Sequence, residues 1–361
     1  MDKRWLKLGE ILVKDAVSVK PGEKVMIAMV EPEAFDLAKG VYEAVVKAGG
    51  YPQVQILSEE FKHSLLRYGN EDQIGWVPEI EAYGMDWADV YIALRGAHNL
   101  GELSDISTEK SVLQQRAMGV ISSARWQKTR WTLVRIPTDA FAVQAECDYD
   151  TVLDMFFNAC FLDFEKERST WEAFAEKLKK GHKIQIKTPD TDLRFSVEER
   201  GWHPSLGGTN IPDGEIYTAP VTSTIDGYIK FEHPGVLGGH LVRDLYLRWE
   251  KGKLVEATSS NEQEYLNSIV YQTPGADLIG EFALGINSEM NRFCNDILFD
   301  EKIYGTVHIA LGRAYPEVGG TNQSSIHWDI IKDTRLPESE VLLDGKAILR
   351  EGKFILDFDK N

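Results

Sequence analysis

Two hydrophobic rhythms divide the chain, and the change between them falls near its middle. In the first half, short apolar runs alternate with segments of helical spacing. Lys24 to Val30 reads KVMIAMV, an apolar run of strand length. From Glu33 to Ala48 the positions Phe35, Leu37, Ala38, Val41, Val45 and Val46 recur at helical intervals, and Gly49-Gly50 stops the helix. Further strands are predicted at Pro52 to Leu57, Asp89 to Leu94 and Trp131 to Ile136. Apolar strands separated by helices predict a parallel, Rossmann-like α/β sheet covered on both faces. The strand at Lys24 runs into EPEAFDLAKG rather than G-x-G-x-x-G, and no G-x-x-x-x-G-K-[ST] occurs, so the layout comes without nucleotide chemistry.

A helical stretch from Asp150 to Lys180 ends at Gly181, where a boundary is expected: an α/β N-terminal domain over 1–180 and a β-rich α+β domain over 181–361. Beyond it the rhythm becomes alternation. His182 to Lys187, Leu193 to Val197, Tyr228 to His233, Leu245 to Glu250 and Lys253 to Ala257 read as strands, and WEKGKLV, with Gly252 in the turn, reads as a hairpin. Asn261 to Ser268 is a predicted helix. The string GGTN occurs twice, at Gly207–Asn210 and Gly319–Asn322. Each copy reads as a tight glycine loop delivering a side chain to a site.

Length and composition fit this division. A chain of 361 residues with 43% hydrophobic and 27% charged side chains suits two packed domains. The net charge of −17 makes nucleic acid and anionic membranes poor partners. No apolar run approaches a membrane span, and the charged N-terminus has no signal-peptide core, so a cytoplasmic location is expected. Cys147, Cys160 and Cys294 are few, odd in number and far apart, which fits a reducing compartment and gives no thiolate metal site.

The candidate chemistry concentrates in the second half. Five of the eight histidines fall between His203 and His327. His327 and Asp329 are one residue apart, so on a strand they face the same side. His308 begins HIALG, and Tyr315 follows beyond Gly312. Glu215 in NIPDGEIYTAP and Glu281 in GEFALG each border an apolar segment, where a carboxylate is costly unless paired or bound to a cation. LFDE adds Glu301. These carboxylates and imidazoles exceed the three protein ligands of a single catalytic zinc and suit two divalent ions sharing a carboxylate. Hard oxygen and imidazole donors admit zinc, cobalt, manganese or magnesium. No G-x-S-x-G or H-E-x-x-H competes. Trp126, Trp131, Trp202 and Trp328 are expected as core or pocket walls.

NIPDGEIYTAP, GEFALG, LFDE, VHIALGRAY and the final H-W-D, together with TPDTDLRF and TRWTLVRIPT, resemble the segments of the thermophilic-type metalloaminopeptidases, peptidase family M29, the aminopeptidase T and PepS group. The likeness spans most of the chain and is most specific from Thr188 to Asp329. By position, the resemblance implies that Glu215, Glu281, Glu301, His308, His327 and Asp329 form the metal site and that Tyr315 is catalytic. It further implies peptide substrates, an α/β domain followed by a β-rich one, and a homodimer whose active sites face an enclosed cavity. The Pro-Asp-Gly-Glu of this chain departs from the Pro-Thr-Glu-Glu of longer members. The expected activity is release of N-terminal residues by metal-activated water, with Glu215 or Glu281 taking the proton. Two alternatives remain at this point. One is a ring-cleaving dioxygenase with a single Fe(II) on His308, His327 and Asp329. The other is a non-catalytic peptide- or metal-binding protein.

Overall fold

A computed structural model describes residues 2–358, apart from the side chains of 108 and 124–128. The chain forms two compact units. One comprises the chain up to Phe161 together with Gly207–Pro212; the other comprises Leu162–Leu206 and the chain from Asp213 onward.

The first unit is built on a five-stranded sheet in the order Tyr51–Leu57, Lys24–Val30, Val90–Arg95, Arg130–Arg135, Asn210–Ile211. All its pairings are parallel, with Val25 set opposite Pro52 on one side and Val90 on the other. The expected parallel α/β fold is therefore present. Val25, Ile27, Ala28, Val90, Ile92 and Val134 are buried, as strands covered on both faces require. The expected helix at 33–48 forms as a short 3₁₀ turn, Pro32–Ala34, and an α-helix, Phe35–Lys47, that packs on Lys3–Ile11. Trp5 closes that layer against Phe156 and Phe157, with ring centroids 5.8 and 4.6 Å away.

The expected continuous helix at 150–180 is two helices, Tyr149–Cys160 and Phe164–Leu178. The break is stabilised by Asp163, whose carboxylate accepts from the Lys166 N–H at the start of the second helix. That second helix puts Trp171, Phe174 and Leu178 into the core of the second unit. The units consequently divide at 161/162 rather than at 180, and the small strand Asn210–Ile211 returns to the first sheet.

The second unit is β-rich. An eight-stranded antiparallel sheet runs Lys253–Thr258, Tyr246–Glu250, Asp226–Lys230, Thr191–Ser196, Lys183–Thr188, Glu340–Leu343, Lys346–Arg350, Lys353–Phe354. The hairpin predicted at WEKGKLV is present, pairing Glu250 with Lys253. Lys251 and Gly252 both have positive φ, 51° and 80°, as a tight two-residue turn requires. A second antiparallel sheet of five strands runs His327–Lys332, Val307–Gly312, Ile279–Gly285, Glu215–Thr218, His203–Ser205. Side chains of both sheets build one apolar core, including Ile186, Phe195, Leu247, Trp249, Phe282, Ile309 and Leu311. Trp202 and Trp328 are core residues, in line with expectation, whereas Trp131 is half-buried and the side chain of Trp126 lies outside the described ones.

Candidate metal centre

The five-stranded sheet carries hydrocarbon on one face and, Ile331 apart, ionisable or very small side chains over the centre of the other. On Val307–Gly312, Ile309 and Leu311 enter the core, so His308, Ala310 and Gly312 share the opposite face. Ala310 lies opposite Asp329 on one neighbour and Glu281 on the other, and Gly312 lies opposite His327. One strand further, Tyr217 is opposite Ala283 and Glu215 opposite Gly285. Alanine and glycine thus form a floor above which imidazoles and carboxylates fit. At Gly285 a Cβ would lie 2.2 Å from the carbonyl oxygen of Ile303, so glycine is what lets the segment bearing Glu301 approach the sheet.

All six acidic and histidine residues singled out from the sequence converge here. Ligand-type atoms of Glu215, Glu301 and His308 lie within 4.8 Å of one another, and so do those of Glu281, His327 and Asp329. His308 Nε2 joins the two sets: it is 3.3 Å from Glu215 Oε2, 3.7 Å from Glu281 Oε1 and 3.9 Å from Asp329 Oδ1. His327 Nε2 lies 3.0 Å from Glu281 Oε2 and 3.3 Å from Asp329 Oδ1. Its Nδ1 is 2.7 Å from the Arg313 carbonyl, a contact that turns Nε2 towards the carboxylates.

Despite these short distances, both nitrogens of His308, Glu215 Oε2 and Asp329 Oδ1 are buried without a hydrogen bond to any described residue. Buried polar atoms are normally satisfied. Acceptor atoms of carboxylates and imidazoles converging on common points fit a divalent cation, and the donor set of four carboxylates and two imidazoles is that of a hard or borderline metal.

Electrostatics follow from crowding of charge in a buried place. Burial raises the Glu301 carboxyl to about 8, with Lys302 opposing the shift. Burial also raises Glu215, again against the pull of Lys302 and His308. For His308 burial works downward, but Glu281, Glu215 and Asp329 prevail and raise the imidazole to about 9. Burial would lift Asp329, yet His327 and His308 hold it near 2. His327 is raised well above its ordinary value because Asp329 and Glu281 outweigh desolvation.

Tyr315 stands at the edge of this cluster, its ring 5.0 Å from that of His327 and 5.4 Å from that of Tyr217. Burial, followed by the charges of Glu281 and Asp329, raises its phenol, so the hydroxyl keeps its proton and remains a donor. Sequence reading missed three neighbours. Lys302, fully buried, pairs with Glu215 at 2.6 Å and Glu301 at 2.8 Å. Asp213, two residues before Glu215, is also fully buried, with its carboxylate 3.8 Å from Lys302. Tyr217 donates its hydroxyl to Glu317 at 3.2 Å. The D-x-E spacing and the E-K pair were the available signals. The GGTN expectation is corrected: Asn322 donates to the carbonyls of Gly275 and Gly312 and so ties down a loop, while Asn210 lies in the parallel sheet. Backbone carbonyls left over at a loop crossing claim the Asn322 amide.

A family model described as thermophilic metalloprotease (M29) matches residues 1–354. Aminopeptidase T of Thermus thermophilus is 24% identical, over 97% of this chain and 98% of the relative. Aminopeptidase 2 of Geobacillus stearothermophilus is likewise 24% identical, over 99% and 98%. The solved structure of wild-type AmpT from Thermus thermophilus matches with a TM-score of 0.83 at 23% identity, over 98% of this chain and 99% of that one. A 2,5-dihydroxypyridine dioxygenase from Pseudomonas putida KT2440 matches with a TM-score of 0.64 at 16% identity, over 97% and 96%, and so shares the fold. Together with the metal-binding donor set, the match along nearly the whole chain means that this protein belongs to the thermophilic metalloprotease family, M29, and is a metal-dependent hydrolase.

Proposed function

We propose that the protein is an aminopeptidase that releases N-terminal residues from peptides at a centre of two divalent ions held by Glu215, Glu281, Glu301, His308, His327 and Asp329. The observation that carries this reading is the pair of three-residue ligand groups on one sheet face, bridged by the otherwise unpartnered His308 Nε2 and carboxylate oxygens. Its relatives named aminopeptidase support the substrate class. When bound, divalent ions at such a centre bring the pKa of a water towards neutral and polarise a carbonyl.

The chain's own residues supply the rest. Glu215 Oε2, buried and free of hydrogen bonds, is placed to accept a proton from water; Glu281 is the alternative acceptor, though its oxygens already face both histidines. Tyr315 keeps its proton and donates a hydrogen bond to the oxygen that becomes negative as the scissile carbonyl turns tetrahedral. The Ala-Gly floor leaves the carboxylates stacked above it in a buried site, where such interactions are strongest.

The single-iron reading uses His308, His327 and Asp329 alone. It leaves Glu215, Glu281 and Glu301, all buried in the same cluster, without a role. We also propose a homodimer in the cytoplasm. No described helix is long and apolar enough to cross a membrane.

Metal analysis combined with aminoacyl-anilide hydrolysis, with and without chelator, tests the function. The expected result is about two ions per chain at full activity, loss of hydrolysis on chelation, and no cleavage of N-acetylated peptides. Full, oxygen-dependent turnover at one iron per chain would support the dioxygenase instead. Light scattering at twice the 40.8 kDa chain mass tests the dimer.

A further inference from the structure

The two halves of the centre differ in one respect that neither the ligand set nor the relatives' names address. Lys302 sits inside only one of them. Its ammonium lies 2.6 Å from Glu215 Oε1, 2.8 Å from Glu301 Oε1 and 3.8 Å from Asp213 Oδ1. Lys302 is fully buried, and its backbone is held on both sides: its N–H donates to the Phe299 carbonyl, and its own carbonyl accepts from the Asn287 N–H. Asp213 is held in turn by Ser205 Oγ at 3.0 Å and the Gly214 N–H at 2.8 Å. The ammonium is therefore a built feature of the site. In the other half, among the described residues, neither Glu281 nor Asp329 forms an ion pair with a lysine or arginine; their partners are His308 and His327.

Charge and lone pairs both matter here. The five carboxylates Asp213, Glu215, Glu281, Glu301 and Asp329 with one ammonium carry four net negative charges, which two dications balance. Lys302 thus leaves room for a second ion. It nevertheless takes one oxygen of each of Glu215 and Glu301 in a charge-assisted hydrogen bond, and it repels a dication placed beside it. The Glu281–His327–Asp329 half has no such competitor.

Resting on the two-ion reading above, we infer that Lys302 grades the centre: a dication enters the Glu281–His327–Asp329 half first, and the Glu215–Glu301–His308 half fills second and more weakly because the buried ammonium competes for its carboxylates. Lys302 is a positioning residue in this scheme, acting on Glu215 and Glu301 and never on substrate.

The test is calorimetric titration of the full chain, stripped by chelator, with Co²⁺, followed in parallel by visible absorption. Wild type should show two steps whose affinities differ by at least about tenfold, the scale of a hydrogen bond to a charged group. Lys302→Met should tighten the second step until the two merge. The metal-free variant should melt lower than wild type and gain more on adding Co²⁺. Lys302→Arg, which keeps the charge, should keep the steps apart. Two variants on the wild-type lysine background fix the order independently: Glu301→Gln, which removes a carboxylate of the Lys302 half alone, should abolish the weak step, and Asp329→Asn the tight one.

A second step unchanged or weakened in Lys302→Met would mean that the lysine props the ligands rather than competing with the ion, which overturns the inference. Loss of the tight step in Glu301→Gln overturns it as well. Two equal steps in wild type and Lys302→Met overturn the grading while leaving the two-ion centre intact. A single ion in both overturns the two together.

Discussion

The parallel sheet of the first unit and the five-stranded antiparallel sheet of the second bury their central strands equally well, yet they use the burial differently. Val25–Met29 is buried at every position, and so are Ile279–Gly285 and Val307–Gly312. In the parallel sheet the buried positions carry hydrocarbon on both faces, because helices cover both. Its polar chemistry is pushed past the strand ends, where Glu31 accepts from Ser58 Oγ and the Glu59 N–H. In the antiparallel sheet only one face is hydrocarbon. The other sets Ala283, Gly285, Ala310 and Gly312 beside Glu281, His308, His327 and Asp329. A charge at such a position is expensive without a counter-charge, so its presence signals a cation or a network that the fold was shaped to hold. Complete burial alone does not mark a site; buried strands with ionisable groups set among Ala and Gly on one face do.

Substitution should separate the two sheets cleanly. His308→Ala removes an imidazole shared by both ligand groups. It should lower kcat/KM by well over about 100-fold, since disturbing even the outer partners of metal ligands costs that much, and metal content should fall with it. Ile27→Ala empties a fully buried position in the parallel sheet. It should cost about 2–5 kcal/mol of unfolding free energy with kcat unchanged per folded molecule. Denaturant titration beside a metal assay and steady-state kinetics reads both. If His308→Ala retained metal and activity, the polar face would be structural, and the contrast between the sheets would collapse.

Tyr315→Phe is a finer cut, because it removes one hydroxyl at the rim and leaves the ligands in place. The ring packs between His327 and Tyr217 and should stay there. Loss of an oxyanion donor should reduce kcat about 100-fold with KM and metal content little changed. Activity within a few-fold of wild type would reduce the tyrosine to packing, and lost metal would move it among the ligands.

Much of this was legible in the sequence, for identifiable reasons. Period-two alternation put His327 and Asp329 on one face, and the pairing register bears that out. Apolar runs marked the parallel strands to within a residue or two. What stayed hidden depended on contacts distant along the chain. Asp163 breaks the expected long helix, but its capping role becomes visible only once Trp171 and Phe174 are seen to pack on distant strands. Asn210–Ile211 reads as part of the second half, and only the ladder to Leu133 and Val134 assigns it to the first sheet. Lys302 passes unnoticed in the sequence, because its burial depends on Asp213 and Glu215, 87 residues away in the case of Glu215.

The smallest effect expected is on the stability of the metal-free chain. His308 titrates at about 9 when folded against an ordinary 6.5, and Glu301 at about 8 against 4.5. A group whose folded value is raised contributes stability fully below its unfolded value and loses it as pH climbs through the folded one. Both groups therefore act in the same direction, Glu301 losing its contribution between pH 4.5 and about 8 and His308 between 6.5 and about 9, and the raised His327 adds to the alkaline loss. Asp329, held near 2 against 3.8, acts at the other extreme: its contribution is present above 3.8 and lost as pH falls through 2. Each additional proton that the folded state binds is worth roughly 1.4 kcal/mol per pH unit, so the chelator-treated chain should melt several degrees lower at pH 9 than at pH 6. Metal ligation requires the deprotonated forms, so the loaded protein should lack this alkaline loss, and uptake of metal near pH 7 should release protons. Scanning calorimetry with and without Co²⁺ gives the first result, and titration in buffers of different ionisation enthalpy gives the second. A metal-free melting temperature that is flat from pH 6 to 9, with no proton released on loading, would mean that His308, His327 and Glu301 are already in their ligand forms before metal binds.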